Sequence, residues 1–507
     1  MPEQFLHGVE VVELDYGARP ISTVRSSVVG LIGTAPDSQP QATASFTLGT
    51  VAANNALTYT AVTPGAVGNT ISIKHRNPGE PSAALQVSVA TSTMGSVITV
   101  SLATDATSAV TSTATLIKDA ITASAAASLV TVSDAGTSTG AGVAAVSSAR
   151  FLEGGADEAF PLNVPVLIAG SRLEAASLGA SGTLPAAIDA IFDQAGSMVV
   201  VIRIEEGESP EETKSNIIGG VSPVGQYLGV QAFLGAESIV KVQPKILVAP
   251  GWSHDQAVVS EMLGIADRLR AVILADGPNT TDQEAISFRE KFGSGRVFVT
   301  DPWVKVWDTE ANADALQPSS ARVAGMISRS DNTRGFWWSP SNTEMYGITG
   351  TARAVDFTLG DPNSRANYLN ENEVATIIQK DGYRLWGNRT CSSDPKWAFL
   401  SVRRTADMIN ESLLRAHMWA VDRNITKTYV EDVLEGVNAY LRHLKTIEAI
   451  LGGSAWADPK LNSPDQIAQG IVYFDFDFTP PYPAEHVVFR SRLVNNYIEE
   501  IFGPVSA

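Results

Sequence analysis

Residues 245–279 read KILVAPGWSHDQAVVSEMLGIADRLRAVILADGPN. Two short, mostly apolar runs, 245–249 and 271–275, bracket an amphipathic stretch at 255–270. Short apolar runs without alternation suit strands buried on both faces, as in a parallel sheet covered by helices. Ser253 stands ahead of the helix as its N-cap. Strand, helix and strand in so short a span predict an α/β layer.

The same grammar extends outward. Residues 164–168, 198–204 and 296–300 read as strands, and 184–195 as a helix with Ile188, Ile191 and Phe192 inward. A helix over 281–292 has Thr280 or Thr281 as its cap and Glu284 in the first turn. From about residue 400 the chain turns helical, with amphipathic helices over 401–421 and 426–445. The second places Val430, Val433, Leu434, Val437, Leu441 and Leu444 on one stripe. Residues 471–478 then alternate, with Val472, Phe474, Phe476 and Phe478 on one face. Pro480, Pro481 and Pro483 cannot continue a sheet interior. They set off a strand-like stretch over 486–494 and a helix-like end.

Residues 41–148 differ from everything around them. Of these 108 residues, 34 are Ser or Thr and seven are charged, while all nine tryptophans lie beyond residue 250. Period-two alternation at 56–62, 70–74, 85–89 and 97–101 predicts half-buried strands, and 109–125 fits a helix carrying Val110, Ala114, Ile117 and Ile121. The expected fold class is therefore mixed α/β and α+β in several domains. A layered α/β core carries a C-terminal helix-plus-sheet domain, a β-rich inserted domain and extended terminal arms. The expected boundaries are 1–36, 37–158, 159–350, 351–483 and 484–507.

Composition narrows function. The chain has 507 residues, a formal net charge of −18 and one cysteine, Cys391. Direct nucleic-acid binding calls for a basic face, and here 54 acids oppose 36 bases. No apolar run approaches the ~20 residues of a membrane span, and the start lacks a secretory leader pattern. A single cysteine excludes an internal disulfide and reads as a packed side chain.

The search for chemistry returns little. No phosphate-binding loop occurs, and six scattered histidines include no His-Glu-x-x-His pair. Asp475 and Asp477 share a strand face and could meet a cation, but read better as the solvent half of an alternating strand. Glu205, Glu206 and Glu208 read as an acidic loop, and Ser181 lacks a nucleophile elbow. The tryptophans could form a carbohydrate platform or serve as core and interface anchors. No catalytic set, metal site or cofactor is expected.

Several stretches, in order, resemble one family. They are 7–11 with 17–21 and 27–30, then 163–168, 245–251 and 274–279, and towards the end 336–342, 381–390, 417–423 and 426–430. The run DGYRLWGNRT at 381–390 is the most specific. Together they resemble the tail sheath proteins of myoviruses, nearest to those of R-type pyocins and related temperate phages. The departure is 37–158, where a compact pyocin-type sheath passes almost directly into the 163–168 strand. The added module is similar to β-rich decorations of phage structural proteins, and its position implies an outward-facing domain.

The resemblance implies a structural subunit that polymerises in hexameric rings, as a helical polymer, around an inner tail tube. It implies contraction without nucleotide, driving the tube through a cell envelope. Baseplate and tail terminator proteins are the further partners implied, with assembly in a bacterial host cytoplasm into a virion tail or headless tail-like particle. Terminal arms of the family add strands to neighbouring subunits. Here those strands are Val9, Val11, Val12 and Leu14 at one end, and Val487, Val488, Phe489 and Leu493 at the other. The receiving strands are 446–456 and 471–478, with Val472, Phe474, Phe476 and Phe478. Alternatively, 486–494 folds back as a hairpin on 471–478. Contact with the inner tube falls to Lys427, Arg442 and Lys445 on the 426–445 helix. An α/β-fold enzyme and a carbohydrate-binding adhesin are the competing functions.

Overall fold

The computed structural model describes residues 21–309 and 311–495. The chain forms two compact units. Among the described residues, the first holds 21–31, 189–200 and 236–495, and the second 32–188 and 201–235.

The first unit is organised by a sheet of buried strands. In chain order these are β1 (Val29–Thr34), β2 (Met198–Ile204), β3 (Ile246–Val248), β4 (Val272–Asp276), β5 (Val297–Thr300), β6 (Val374–Gln379) and β7 (Tyr383–Trp386). They lie in the order β7-β6-β5-β4-β3-β1-β2, with Thr343–Glu344 outside β7. Pairings from β1 to β6 through β3, β4 and β5 are parallel, and β7 closes the edge antiparallel to β6. Every residue of β3, β4 and β5 is buried. That is why these strands carry continuous apolar runs and not an alternating pattern.

Helices α1 (Gln256–Leu269), α2 (Asp282–Arg289) and α3 (Ser320–Thr333) accompany the strands. Thr281 caps α2 through the Glu284 N–H, and the Thr280 hydroxyl reaches the Glu284 carboxylate. The cap of α1 is Asp255, whose carboxylate accepts from the Ala257 N–H at 2.8 Å, in place of the expected Ser253. Ser253 is needed elsewhere. Its hydroxyl meets Asp276, fully buried at the end of β4, at 2.9 Å. Ser320 donates to the same carboxylate from its N–H at 2.8 Å and its hydroxyl at 2.6 Å, joining the start of α3 to β4. Burial pushes the Asp276 pKa up, and these donors oppose that shift.

Helix α4 (Leu400–Ala416) carries buried charges spaced three and four residues apart, on one face. Arg404 forks onto Asp331 of α3 at 2.8 and 2.5 Å and also reaches the Ser26 carbonyl. Asp407 accepts from Arg296 at 2.6 and 3.1 Å and from Arg403 at 2.7 Å. Glu411 lies 3.8 Å from Lys245 and 2.9 Å from Arg415. Burial lowers the Lys245 pKa to about 8. The expected helix over 401–421 is shorter than its pattern, because it ends at His417 and is followed by a short 3-10 turn, Met418–Ala420.

In the second unit, the Ser/Thr-rich stretch has its own core. Leu57, Tyr59, Ile73, Ile98, Val100, Leu102, Ile117 and Ile121 are all buried in it. One sheet has the order Gln86–Ser92, Gly95–Ser101, Ile71–Arg76, Ser147–Phe151, and another Ser45–Leu48, Leu57–Ala61, Val130–Asp134. The helix is Ala114–Thr122, capped by Thr113. Val110 belongs instead to a bridge with Thr104, so the expected helix began too early. The two ends of the stretch meet. Ala42 and Ala156 exchange backbone hydrogen bonds at 2.9 and 3.1 Å, and Ser45 bridges Glu153. The strand expected at 164–168 is Val166–Ala169, and the helix expected at 184–195 is Leu184–Phe192.

Two outcomes follow from these buried charges. Asp407→Ala leaves Arg296 buried without its main partner, so unfolding free energy should fall by about 3 kcal/mol. Urea unfolding checks this, and a loss below about 1 kcal/mol contradicts a supporting role. His75, buried in the second unit's core, meets the Tyr59 hydroxyl at 2.8 Å, and burial lowers its pKa to about 4. Its unfolded value lies near 6.5, so the unfolded chain takes up the proton first as pH falls. Stability present above pH 6.5 is therefore lost between about 6.5 and 4, by about 3 kcal/mol from this group alone. His75→Phe should flatten that part of the profile in thermal unfolding. An unchanged slope would refute it.

Candidate functional site

Of the residues that sequence reading assigned to assembly, those between 427 and 493 lie at the C-terminal end of the first unit. Helix α5 (Lys427–Thr446) is capped by Thr426 through the Tyr429 N–H. Two strands, β8 (Gly452–Trp456) and β9 (Asp475–Thr479), pair antiparallel and, among the described residues, form a sheet of two strands. Phe474, Phe476 and Phe478 pack against a core that includes Val433, Val437, Tyr440, Leu441 and Leu444 of α5. An isolated two-stranded sheet is marginal in water, so this apolar face is what holds it.

Both receiving strands are shorter than expected. The stretch 446–451 is not strand: Thr446 ends α5, and the Ala449 N–H closes back on the Leu444 carbonyl. Val472 lies outside β9. The backbone of Tyr473 is bonded to the side-chain amide of Asn462, at 2.8 and 2.9 Å, and is thereby withdrawn from the ladder. Asp477, on the exposed side, accepts from the Ser454 N–H and hydroxyl at 2.8 and 3.1 Å, so its role is local.

Asn438 is a residue that sequence reasoning missed. Its amide donates to the Leu434 and Ala455 carbonyls, and its oxygen accepts from the Ala455 N–H at 2.9 Å. It therefore stitches β8 to α5. The available signal was an amide at the margin of an apolar stripe. Ile21 and Val24, placed earlier with the N-terminal arm, pack against the same core as Phe474. The Thr23 and Tyr440 hydroxyls lie 3.0 Å apart, and the Val24 N–H donates to Ser412. The chain leading from the N-terminal segment thus lies on α4 and α5.

Val9, Val11, Val12 and Leu14 lie outside the described residues. At the other end, the stretch expected as a strand over 486–494 forms none. Val487 and Val488 are exposed, Phe489 is 92% exposed and Leu493 100%. The alternative hairpin on 471–478 is not formed, since the neighbour of β9 is β8. An extended segment with no ladder partner stays solvated, whatever its side-chain pattern.

Lys427, Arg442 and Lys445 are all exposed on α5. Lys427 lies 3.6 Å from Glu431. Arg442, His443 and Lys445 occupy the end of the helix where its dipole favours positive charge.

The candidates for other chemistry are dispersed. Among the described residues, no group of three or more His, Cys, Asp or Glu could hold a metal, and no helix is long and apolar enough to cross a membrane. Cys391 is buried, which pushes its thiol up to about 12. The loop at 205–208 leads into the helix Pro210–Ile218, and the Glu208 N–H bonds Glu212. The Ser181 hydroxyl donates to Asp37. Trp337 and Trp419 pack in the C-terminal core, while Trp307, Trp338 and Trp456 are exposed. A groove of about 400 Å³ lined by 24–28, 196–198 and Asn332 contains no carboxylate, histidine or cysteine.

Comparison with known proteins identifies the family. Residues 225–391 match the phage tail sheath protein central domain, 392–493 the phage tail sheath C-terminal domain, and 137–204 the tail sheath protein Gp18 domain III N-terminal region. A prophage major tail sheath protein of Pseudomonas aeruginosa (strain UCBPP-PA14) is 47% identical over 68% of this chain and 90% of its own. The tail sheath protein of Burkholderia phage BcepMu is 32% identical over 99% of this chain and 100% of its own. The fold is similar to that in the cryo-EM structure of the anti-feeding prophage helical sheath in its contracted state. There the TM-score is 0.51 and the identity 21%, over 65% of this chain and 88% of that one. The chain belongs to the phage tail sheath proteins, and is a structural subunit of a contractile tail sheath, not an enzyme.

Proposed function

We propose that the sheath polymerises by strand exchange at the β8–β9 sheet. One observation carries this reading. Among the described residues no third strand joins the β8–β9 sheet, so the outer edge of β9 lacks a neighbour, and a bare extended segment, 486–495, begins seven residues beyond β9. That edge offers backbone N–H and C=O groups that an added strand satisfies, while on β8 the Ala455 N–H and C=O are already bonded to Asn438. Val487, Val488, Phe489 and Leu493 of one subunit join one edge of a neighbour. Val9, Val11, Val12 and Leu14 of another join the second, with Phe474, Phe476 and Phe478 fixing the sheet between them.

Subunits so linked form six-fold rings stacked as a helical polymer around an inner tube. Contraction moves each body as a unit while the arms hinge and hold. Energy comes from re-formed interfaces, with no cofactor. The basic end of α5, Arg442 and Lys445, with Lys427 at its start, faces the tube. Baseplate and terminator proteins bind the ends of the polymer, and assembly takes place in the host cytoplasm.

The domain scheme belongs to the same proposal. Residues 37–158 form an outward module on a sheath core, followed by a C-terminal sheath domain and arm. Support comes from the Ala42–Ala156 bonds, which bring the module's two ends together. It also comes from the Pseudomonas relative, most of whose length aligns with about two thirds of this chain.

Negative-stain electron microscopy of purified protein tests the scheme. Removing residues 1–16 or 484–507 should leave folded subunits that build no tubes, while replacing 40–158 by a short linker should leave tubes intact. Normal tubes from both truncations would sink strand exchange. Reversing the charges of Arg442 and Lys445 together should slow tube-templated assembly at low salt, with the difference shrinking as salt rises. A rate equal to wild type at every salt concentration would remove α5 from the tube interface.

A further inference from the structure

The run 381–390 is the most specific part of the family resemblance, and strand exchange alone gives it no task. Its first part forms β7. Gly387 then adopts φ +130°, where an added Cβ would lie 2.8 Å from the Ala375 Cα, so the chain can turn out of the sheet only as glycine. Two residues on, Arg389 forms an isolated antiparallel bridge with Phe399. Its guanidinium lies 5.3 Å above the Phe399 ring. It also grips Glu485, with Nε donating to Oε1 at 2.8 Å and Oε2 at 3.1 Å, and Nη2 to Oε2 at 2.5 Å. Tyr482 meets Phe399 edge-on, with ring centres 6.2 Å apart.

Glu485 and Tyr482 belong to the root of the C-terminal arm. Pro480 is buried, and every residue from Ala484 to Asn495 is exposed. We propose that Arg389 is the positioning residue of that arm, clamping its root to the body so that 486–495 departs from one place in one direction. This rests on the strand-exchange reading and adds what aims the strand.

The physical gain is in effective concentration. With the clamp open, residues 481–485 join the free tether, adding up to roughly 17 Å of slack. The local concentration of the arm at a neighbour's sheet edge falls roughly as the −3/2 power of tether length. A forked, half-exposed Arg–carboxylate pair is strong enough to hold a short tether, yet can open as neighbours move.

The test uses the full chain with a nitroxide on Ser491→Cys, an exposed arm position outside the proposed exchange contacts, since buried Cys391 does not compete for the label. Spin-label mobility is read on dilute subunits, and tube growth by light scattering. Arg389→Ala and Glu485→Ala should each free the label and slow tube formation by roughly twofold to fivefold, with thermal midpoints unchanged. The exchanged pair Arg389→Glu with Glu485→Arg should restore both readouts. If Arg389→Ala fails to fold, Glu485→Ala decides, because Glu485 is exposed at the root. A label spectrum and rate equal to wild type in Glu485→Ala overturn the clamp, as does an exchanged pair that stays impaired. Tubes from the 484–507 deletion would end the exchange reading alone, and the label spectrum would still judge the clamp.

Discussion

A strand at the edge of a sheet has backbone donors and acceptors with nothing to bond. Among the described residues no strand lies beyond β9 in the β8–β9 sheet, whose apolar face is fixed to α5 by Phe474, Phe476 and Phe478. In a monomeric protein this would be an aggregation liability that charges, prolines or a covering helix suppress. Here the sheet is short and firmly backed, and Asn438 locks β8 to its helix. Under the proposed strand exchange, this edge is where a neighbour's arm adds. The bare segment 486–495 has the complementary defect, with apolar side chains and no ladder.

The rest of the first unit supplies stiffness. Arg404, Asp407 and Glu411 stand on one face of α4, are nearly inaccessible, and each meets an opposite charge on another element. Buried pairs of this kind add little net stability over apolar packing, but breaking one is costly. They therefore oppose partial slippage of α4 against α3 and the sheet. Ser26 joins the network through Asp331 and Arg404, so the chain arriving from the N-terminal segment is held to the same rigid body. The chain at 23–26 and at Glu485 is thus tied to the same frame, which suits the proposed movement of the subunit as a unit.

Sequence made the buried layers legible because apolar runs and strand burial are nearly the same fact. Runs such as 245–249 and 271–275 lie on β3 and β4, and Val433, Val437, Leu441 and Leu444 of the α5 stripe are buried, while Val430 and Leu434 are only half-buried and Tyr440 joins the buried face. Errors fell where a side chain had a second suitor. Ser253 has the chemistry of a cap, yet a buried carboxylate 23 residues on claims its hydroxyl. Val472 continues a clean alternation, yet Asn462 takes the backbone beside it. Val110 fits a helical stripe, yet Thr113 starts the helix later. Periodicity records which side chains are apolar, and says nothing of polar groups that compete for backbone from elsewhere in the chain. At the assembly site, Phe474, Phe476 and Phe478 could be read from pattern, whereas Asn438 and Arg389 could not, since their partners are distant in sequence.

The inserted stretch follows from the same accounting. A composition rich in Ser, Thr and small residues, with seven charges in 108 positions, would commonly signal a disordered region. It folds because about one residue in two along its strands points inward, and eight sizeable apolar or aromatic side chains converge on one core. Its ends are hydrogen-bonded to each other, so the stretch lengthens the chain without forcing the residues that flank it apart. Loop-closure cost grows only slowly with length, which makes such a graft thermodynamically tolerable where the two ends already meet. On the proposed domain scheme, a sheath core therefore carries the module without any change to the β8–β9 sheet.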